Sequence, residues 1–255
     1  MRTLAMLLRQ IGYEQRAFWR NSAAAVFTFV FPLLMLTIFG TINRDSRIGM
    51  LGGISYNQYF VPGIVAFGVI SACYTKLAMS LAILRDAGAL KRLRGTPLPP
   101  WVYMAGQIGS SLLVSALLVV LTTALGVLAY GVVFPGRYAA LLLALSAGAF
   151  CFCSLGIAMT AAIPSATAAP AIVNGLLFPV LFISGTFYPL APGSVLARIA
   201  EFFPIRPFEE AIFRAFDPAA AGSAIAVQPL LALALWGAGG LVVALRTFRW
   251  EPSAR

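Results

Sequence analysis

Side chains capable of acid–base or metal chemistry are scarce in this sequence and avoid its apolar stretches. Histidine is absent, which excludes imidazole metal ligands and general-base mechanisms that use histidine. All eight acidic residues lie outside the six apolar runs described below, whereas ion-coupled transporters usually need a carboxylate within the membrane. Cys73, Cys151 and Cys153 lie inside these runs and are expected to be packing residues. We therefore expect no catalytic, cofactor or metal site in this chain.

The stretch most able to bind a partner is 86–100, DAGALKRLRGTPLPP. It predicts a short basic helix that ends at Gly95 and is followed by a proline-stiffened turn. A rigid cationic projection suits docking on a partner or on anionic lipid headgroups, and a loop that only fixes topology is the alternative. Lys76 is charged but lies within an apolar run. Its ammonium is expected to reach the membrane interface, with a polar cavity between helices as the alternative.

The elements that must position these residues are membrane helices, because the chain is 60% hydrophobic and only 10% charged. Soluble domains have about a quarter charged residues, so this chain has too little polar surface for water. The composition excludes a cytosolic enzyme, a disordered protein and a secreted disulfide scaffold. Six apolar runs are each long enough to cross a bilayer as a helix. These predicted spans are 22–42, 58–84, 103–133, 138–163, 170–190 and 225–245.

The remaining segments predict how the chain sits in the membrane. Residues 1–21 predict an amphipathic interfacial helix, since basic and apolar residues segregate to opposite faces. Residues 22–245 form one predicted transmembrane domain, 191–224 within it form short re-entrant outer helices, and 246–255 form a tail. Eleven basic residues on the side of the termini against six on the other place both termini in the cytoplasm. We expect an all-α, polytopic protein of the bacterial inner (plasma) membrane.

Three stretches resemble the type-2 permeases of ATP-binding-cassette (ABC) transporters. Residues 86–100 are similar to that family's cytoplasmic loop, in which an acidic residue, Gly, Leu and Lys/Arg precede a T-P-L-[SP] turn. Residues 174–190, NGLLFPVLFISGTFYPL, resemble its fifth span and exit, and 203–214, FPIRPFEEAIFR, its re-entrant segment. The loop 164–169, PSATAA, departs from the pattern because it lacks the charges that family members often have there.

The resemblance implies the membrane subunit of an exporter that does not itself hydrolyse ATP. In keeping with this, the sequence contains no phosphate-binding G-x-x-x-x-G-K-[ST] motif. A separate ABC ATPase subunit would bind ATP and Mg, and a second permease, identical or paralogous, would complete the complex in the lipid bilayer. Nucleic acid is not an expected partner. The residues assigned to the ATPase-coupling loop are Arg85, Asp86, Gly88, Leu90, Lys91, Arg92 and Arg94.

Two further groups of residues are expected to act in transport. A translocation cavity would lie between the second and fifth spans of the two copies, lined by Tyr59, Phe67, Tyr74, Asn174, Phe178 and Phe182. An outer lid would begin where Gly185 and Pro189 end the fifth helix, with Glu209 and Glu210 at its wet rim because a buried unpaired carboxylate is costly. The aromatic lining favours hydrophobic drug-like or lipid cargo. Lipid-linked polysaccharide export and an ATP-independent channel or facilitator are the alternatives.

Overall fold

The computed structural model describes residues 2–96, 98–217, 225–248 and 250. The helices are α1 (Arg2–Arg20), α2 (Ser22–Ile42), α3 (Tyr56–Ile70), α4 (Lys76–Asp86), α5 (Ala89–Arg94), α6 (Pro100–Tyr130), α7 (Tyr138–Met159), α8 (Ala169–Ser184), α9 (Val195–Phe202), α10 (Ile205–Phe216) and α11 (Val227–Thr247). Strands β1 (Arg47–Ile48) and β2 (Ile54–Ser55) pair antiparallel, with Arg47 opposite Ser55. The tail predicted for 246–255 lies mostly outside the described residues.

Five helical stretches of the described chain are long and apolar enough to cross a membrane. They are Ala24–Ile42, Tyr56–Asp86, Pro100–Tyr130, Tyr138–Ala162 and Val227–Thr247. The all-α polytopic fold is therefore confirmed. The predicted fifth span is shorter than expected, since α8 has 16 residues and ends at Ser184, where Gly185 takes a φ of +89°. A bilayer-spanning helix needs about 20 residues.

The helix Tyr56–Asp86 lies at the centre of the bundle. It consists of α3, a π-helical turn at Ser71–Thr75, and α4. The helices α2, α6, α7, α8 and α10 pack around it. The sequence of α3 places apolar residues on every face of the helix, as expected for a helix with protein neighbours on all sides. Single π turns occur frequently at functional sites, so the interruption is notable in the most buried helix.

The bundle has two ends that carry different elements. The first, here called the α5 end, holds α5, residues 160–168 and α1, which packs on the beginning of α6. The second, the hairpin end, holds the β1–β2 hairpin, residues 185–188 and the end of α10. Between the two ends, the helices pack closely at small residues. A Cβ on Gly237 of α11 would lie 2.5 Å from Cε1 of the Phe150 ring in α7.

Candidate functional site

The predicted coupling loop forms a short helix that is anchored in the core. Gly88 joins α4 to α5 with a φ of +67°, a conformation that favours glycine. Leu90 is 0% exposed, whereas Lys91 and Arg92 are exposed. Two of the predicted cations are thus available to a partner, on a helix whose apolar residue packs in the bundle. The predicted coupling residue Arg94 lies at the end of α5, and its side chain is outside the described part of the structure.

Arg85 and Asp86 are directed toward the protein itself and not toward a partner. Arg85 is only 3% exposed; its Nη1 donates to the Thr160 carbonyl oxygen 2.6 Å away, and its Nη2 donates to that of Ile163. Asp86 Oδ2 accepts a hydrogen bond from the Ala166 amide nitrogen at 3.1 Å. Carbonyls at the end of a helix lack partners in that helix, and a cation there satisfies them. The direct ATPase contact expected of Arg85 is therefore inconsistent with its burial.

The amphipathic helix α1 packs on α6 at Gly106 and Gly109. A Cβ on Gly109 would lie 2.7 Å from Ile11 Cδ1, so the two helices approach closely here. Beside this contact, Gln15 Nε2 donates to the Ser110 carbonyl oxygen at 2.9 Å. Lys76 Nζ donates to Ser110 Oγ at 2.9 Å and lies 5.0 Å from the centroid of the Phe18 ring. Lys76 thus lies between helices, as the alternative expectation has it, instead of extending freely to the interface.

The predicted cavity residues fall into two groups, and α8 holds the exposed one. Asn174, Phe178 and Phe182 are spaced four residues apart and share one face of this helix. Phe178 is 36% exposed and Phe182 is 53% exposed. A Cβ on the neighbouring Gly175 would meet nothing within 4 Å. We call Asn174, Gly175, Phe178 and Phe182 the α8 stripe.

The second group lies inside the chain. Phe67 and Tyr74 are 5% and 7% exposed, and the Phe67 ring packs against Phe31 with centroids 5.8 Å apart. Their helix is the central one, so both faces of it meet other helices of the same chain. In this conformation neither side chain can line a cavity against a second copy. The cavity prediction is therefore wrong for these two residues as the structure stands.

Tyr59, the remaining predicted cavity residue, contacts the predicted lid. Its hydroxyl donates to the Gly185 carbonyl oxygen at 2.5 Å, and the Tyr56 hydroxyl donates to that of Phe187 at 2.8 Å. Gly185 ends α8, and Pro189 lies four residues further on. The beginning of α3 is thus hydrogen-bonded to the segment that follows α8. Tyr59, which was predicted to line the cavity, contacts the backbone of the predicted lid.

Gln58 is a second connection at the hairpin end and was not among the predicted site residues. Its Nε2 donates to the Phe216 carbonyl oxygen at 2.7 Å, and its Oε1 accepts from the Val133 amide nitrogen at 2.8 Å. One buried side chain therefore links α3 to the end of α10 and to the residues after α6. A buried amide needs partners for both of its atoms, so a glutamine at the start of an apolar run was the available signal.

The two predicted lid acids have different surroundings. Glu210 forms an exposed ion pair with Arg214, 2.6 Å between Oε1 and Nη2, in agreement with a wet rim. Glu209 is only 6% exposed and accepts a hydrogen bond from the Thr186 hydroxyl, so the wet-rim prediction is wrong for this residue. It lies on the buried face of α10. Burial raises the pKa of Glu209 to about 8, against opposing contributions from Thr186 and Arg206.

These features together define a polytopic α-helical membrane protein with a short basic helix at one end and, at the other, residues 185–188 hydrogen-bonded to the start of α3. The sequence profile described as "ABC-2 type transporter" matches residues 6–216. The chain belongs to this family of membrane transport permeases, as the resemblance predicted.

Curated relatives agree with this family assignment. The inner membrane transport permease YadH of Escherichia coli (strain K12) is 31% identical over 101 residues, which cover 38% of this chain. YadH from Escherichia coli O157:H7 and from Shigella flexneri align to the same extent and with the same identity. The alignment spans 40% of the length of each of these relatives.

Proposed function

We propose that this chain is the membrane subunit of an ATP-driven exporter, in which two permeases act with separate ATPase subunits that bind ATP and Mg. The observation that carries the proposal is the exposure of the side chains of α5. Lys91 and Arg92 are exposed while Leu90, between them and α4, is fully buried. A partner that binds these two cations would therefore displace a helix that is anchored in the core. Both termini and α5 would lie in the cytoplasm.

The path of the movement follows the central helix. Only Ala87 and Gly88 separate α5 from α4, and α4 continues through the π turn into α3. At the far end Tyr56 and Tyr59 are hydrogen-bonded to residues 185–188. A displacement of α5 would therefore reach the predicted lid along one helix. In this mechanism ATP binding favours one of two helix packings, and hydrolysis returns the bundle to the other.

The exposed side chains of the α8 stripe suggest the cargo class. Phe178 and Phe182 offer exposed apolar rings, and the half-buried Asn174 offers a polar amide within an otherwise apolar helix. A lining of this kind suits hydrophobic drug-like or lipid cargo better than an inorganic ion. We therefore propose export of such amphipathic molecules, with the stripes of two copies facing each other.

Coexpression with a candidate ABC ATPase subunit tests the proposal. We expect the ATPase to copurify with the chain, and Lys91→Glu/Arg92→Glu to reduce the copurified ATPase at least tenfold. A matched control, Arg44→Glu/Arg47→Glu, reverses two exposed cations at the hairpin end and should leave binding unchanged. Equal ATPase recovery with both double variants, or dye efflux that continues without ATP, would contradict the proposal. The second result would favour a facilitator.

A further inference from the structure

We propose that Arg85 and Asp86 fix residues 160–168 to the base of α5, so that a single contact of the ATPase with α5 also moves α8. Both are positioning residues in this proposal, since they act through the segment that they bind. The ATPase part rests on the proposed function above. The contacts themselves do not, because they join two parts of the same chain.

Arg85 supplies the buried half of the connection. One guanidinium group spans the carbonyl oxygens of Thr160 and Ile163, the end of the α7 helix and the start of the following segment. The side chain is 3% exposed. Turning it toward a partner would leave the carbonyl oxygens of Thr160 and Ile163 without their donors, which is costly. The geometry thus assigns Arg85 to the interior of the permease.

Asp86 supplies the half at the surface. It is the last residue of α4, is exposed, and accepts the hydrogen bond from the Ala166 amide nitrogen. The segment it binds is an ordered turn. Within it the Ala168 amide nitrogen donates to the Ser165 carbonyl oxygen at 3.2 Å, and the hydroxyls of Ser165 and Thr167 lie 3.0 Å apart. A turn with its own hydrogen bonds transmits a displacement instead of absorbing it.

The segment leads directly into α8. Ala169, its first residue, is 0% exposed, and α8 packs against α4. Only Ala87 and Gly88 separate Asp86 from α5, so the bond to Ala166 ties the start of α8 to the start of α5. This placement explains why the sequence PSATAA at 164–169 can lack charges. A segment that moves together with α5 needs no charged residues of its own to bind the ATPase.

Hydrogen exchange measured by mass spectrometry on the full chain tests the connection without an ATPase. Asp86→Ala removes the acceptor, and we expect exchange in the peptide that contains Ala166 to become at least tenfold faster. Asp86→Asn keeps an acceptor oxygen and should restore most of the protection. Asp45→Ala, which removes an exposed acid at the hairpin end, is the control and should change nothing in this peptide. Unchanged exchange in Asp86→Ala would overturn the proposal.

The same measurement in the complex with the ATPase tests the transmission. On addition of ATP, the wild type should change its exchange in both the α5 peptide and the 160–172 peptide. Asp86→Ala should keep the response of α5 and lose that of 160–172, and Asp86→Asn should recover it; a general loss of stability would alter both peptides. A full response of 160–172 in Asp86→Ala would overturn the proposal. Absence of any response in wild-type α5 would instead contradict the proposed function, because the exchange result without ATPase stands separately.

Discussion

Glu209 is the residue whose chemistry is most distinctive in this permease. Glu209 lies on the buried face of α10 with one oxygen bound to the Thr186 hydroxyl. The other oxygen, Oε2, has no hydrogen-bond partner among the described residues. Arg206 favours the charged form of Glu209, but burial outweighs it and raises the pKa to about 8. The hairpin end therefore contains an acid whose pKa is raised toward the physiological range, and this acid lies near Tyr59.

We expect this group to make the stability of the permease depend on pH. The pKa of Glu209 is raised from an ordinary value of 4.5 to about 8, so the folded protein holds the proton more tightly than the unfolded chain. The stabilisation is complete below the unfolded value and is lost as the pH rises through the folded one. The melting temperature in detergent should fall by about 4 °C or more between pH 5 and pH 9.

The variant Glu209→Gln isolates this contribution. An amide of the same shape cannot ionise, so the fall in melting temperature that Glu209 causes over that window should disappear. Glu210→Gln is the matched control, because Glu210 is a neighbouring acid in an ion pair at the surface. This control should keep the slope of the wild type. If Glu209→Gln shows the wild-type slope as well, another group is responsible for the pH dependence.

At the scale of elements, the contact between α1 and α6 makes the interfacial helix part of the fold. Gly109 provides the space for Ile11, and Lys76 and Gln15 both donate to Ser110 beside it. Since Lys76 begins α4, the polar cluster connects α1 to the central helix as well as to α6. A change in the position of α1 would thus be felt directly next to the π turn at Ser71–Thr75.

Gly109→Val is expected to displace α1 from α6. A Cβ at this position would lie 2.7 and 2.9 Å from two atoms of Ile11, and overpacking of this kind costs about 1–3 kcal/mol. Hydrogen exchange in residues 2–20 should become faster, and the melting temperature should fall. Gly239→Val is the control, since a Cβ there would meet nothing within 4 Å. Equal exchange in the two variants would mean that α1 adapts without losing its contact.

Helix positions could be predicted from the sequence, whereas helix neighbours could not. The run 22–42 coincides with α2 because polar residues bound it on both sides. The predicted 58–84 is the central helix, but an apolar pattern without a polar face does not tell lipid from protein neighbours. For this reason Phe67 was expected in a cavity and lies in the core, and Arg85 was expected at a partner's surface and lies buried. Both outcomes depend on tertiary contacts.

At the scale of the whole molecule, α8 is a short apolar helix with one exposed side. It has 16 residues, and the α8 stripe lies along its exposed side. The helix packs on α4, and Val173 and Leu177 on its other side are 0% and 6% exposed. Gly175 and the amide of Asn174 lie on the exposed side of this short helix. Small and amide side chains suit contact with another helix better than contact with lipid alone. A second permease copy, bound stripe to stripe, is the partner that the proposed function supplies.

Cysteine cross-linking in membranes tests this arrangement. With Gly175→Cys, Phe178→Cys or Phe182→Cys in turn, we expect at least one variant to form a covalent dimer under mild oxidation, because a disulfide requires Cα atoms within about 7 Å. The native Cys73, Cys151 and Cys153 are buried and should not react. Leu235→Cys is the control, since Leu235 is 74% exposed on α11, a different surface of the bundle. A ladder dominated by Leu235→Cys, or none from any α8 position, would place the stripe against lipid and remove α8 from the proposed cavity. A dimer that forms without ATP and weakens when ATP binds would show that the stripes separate during transport.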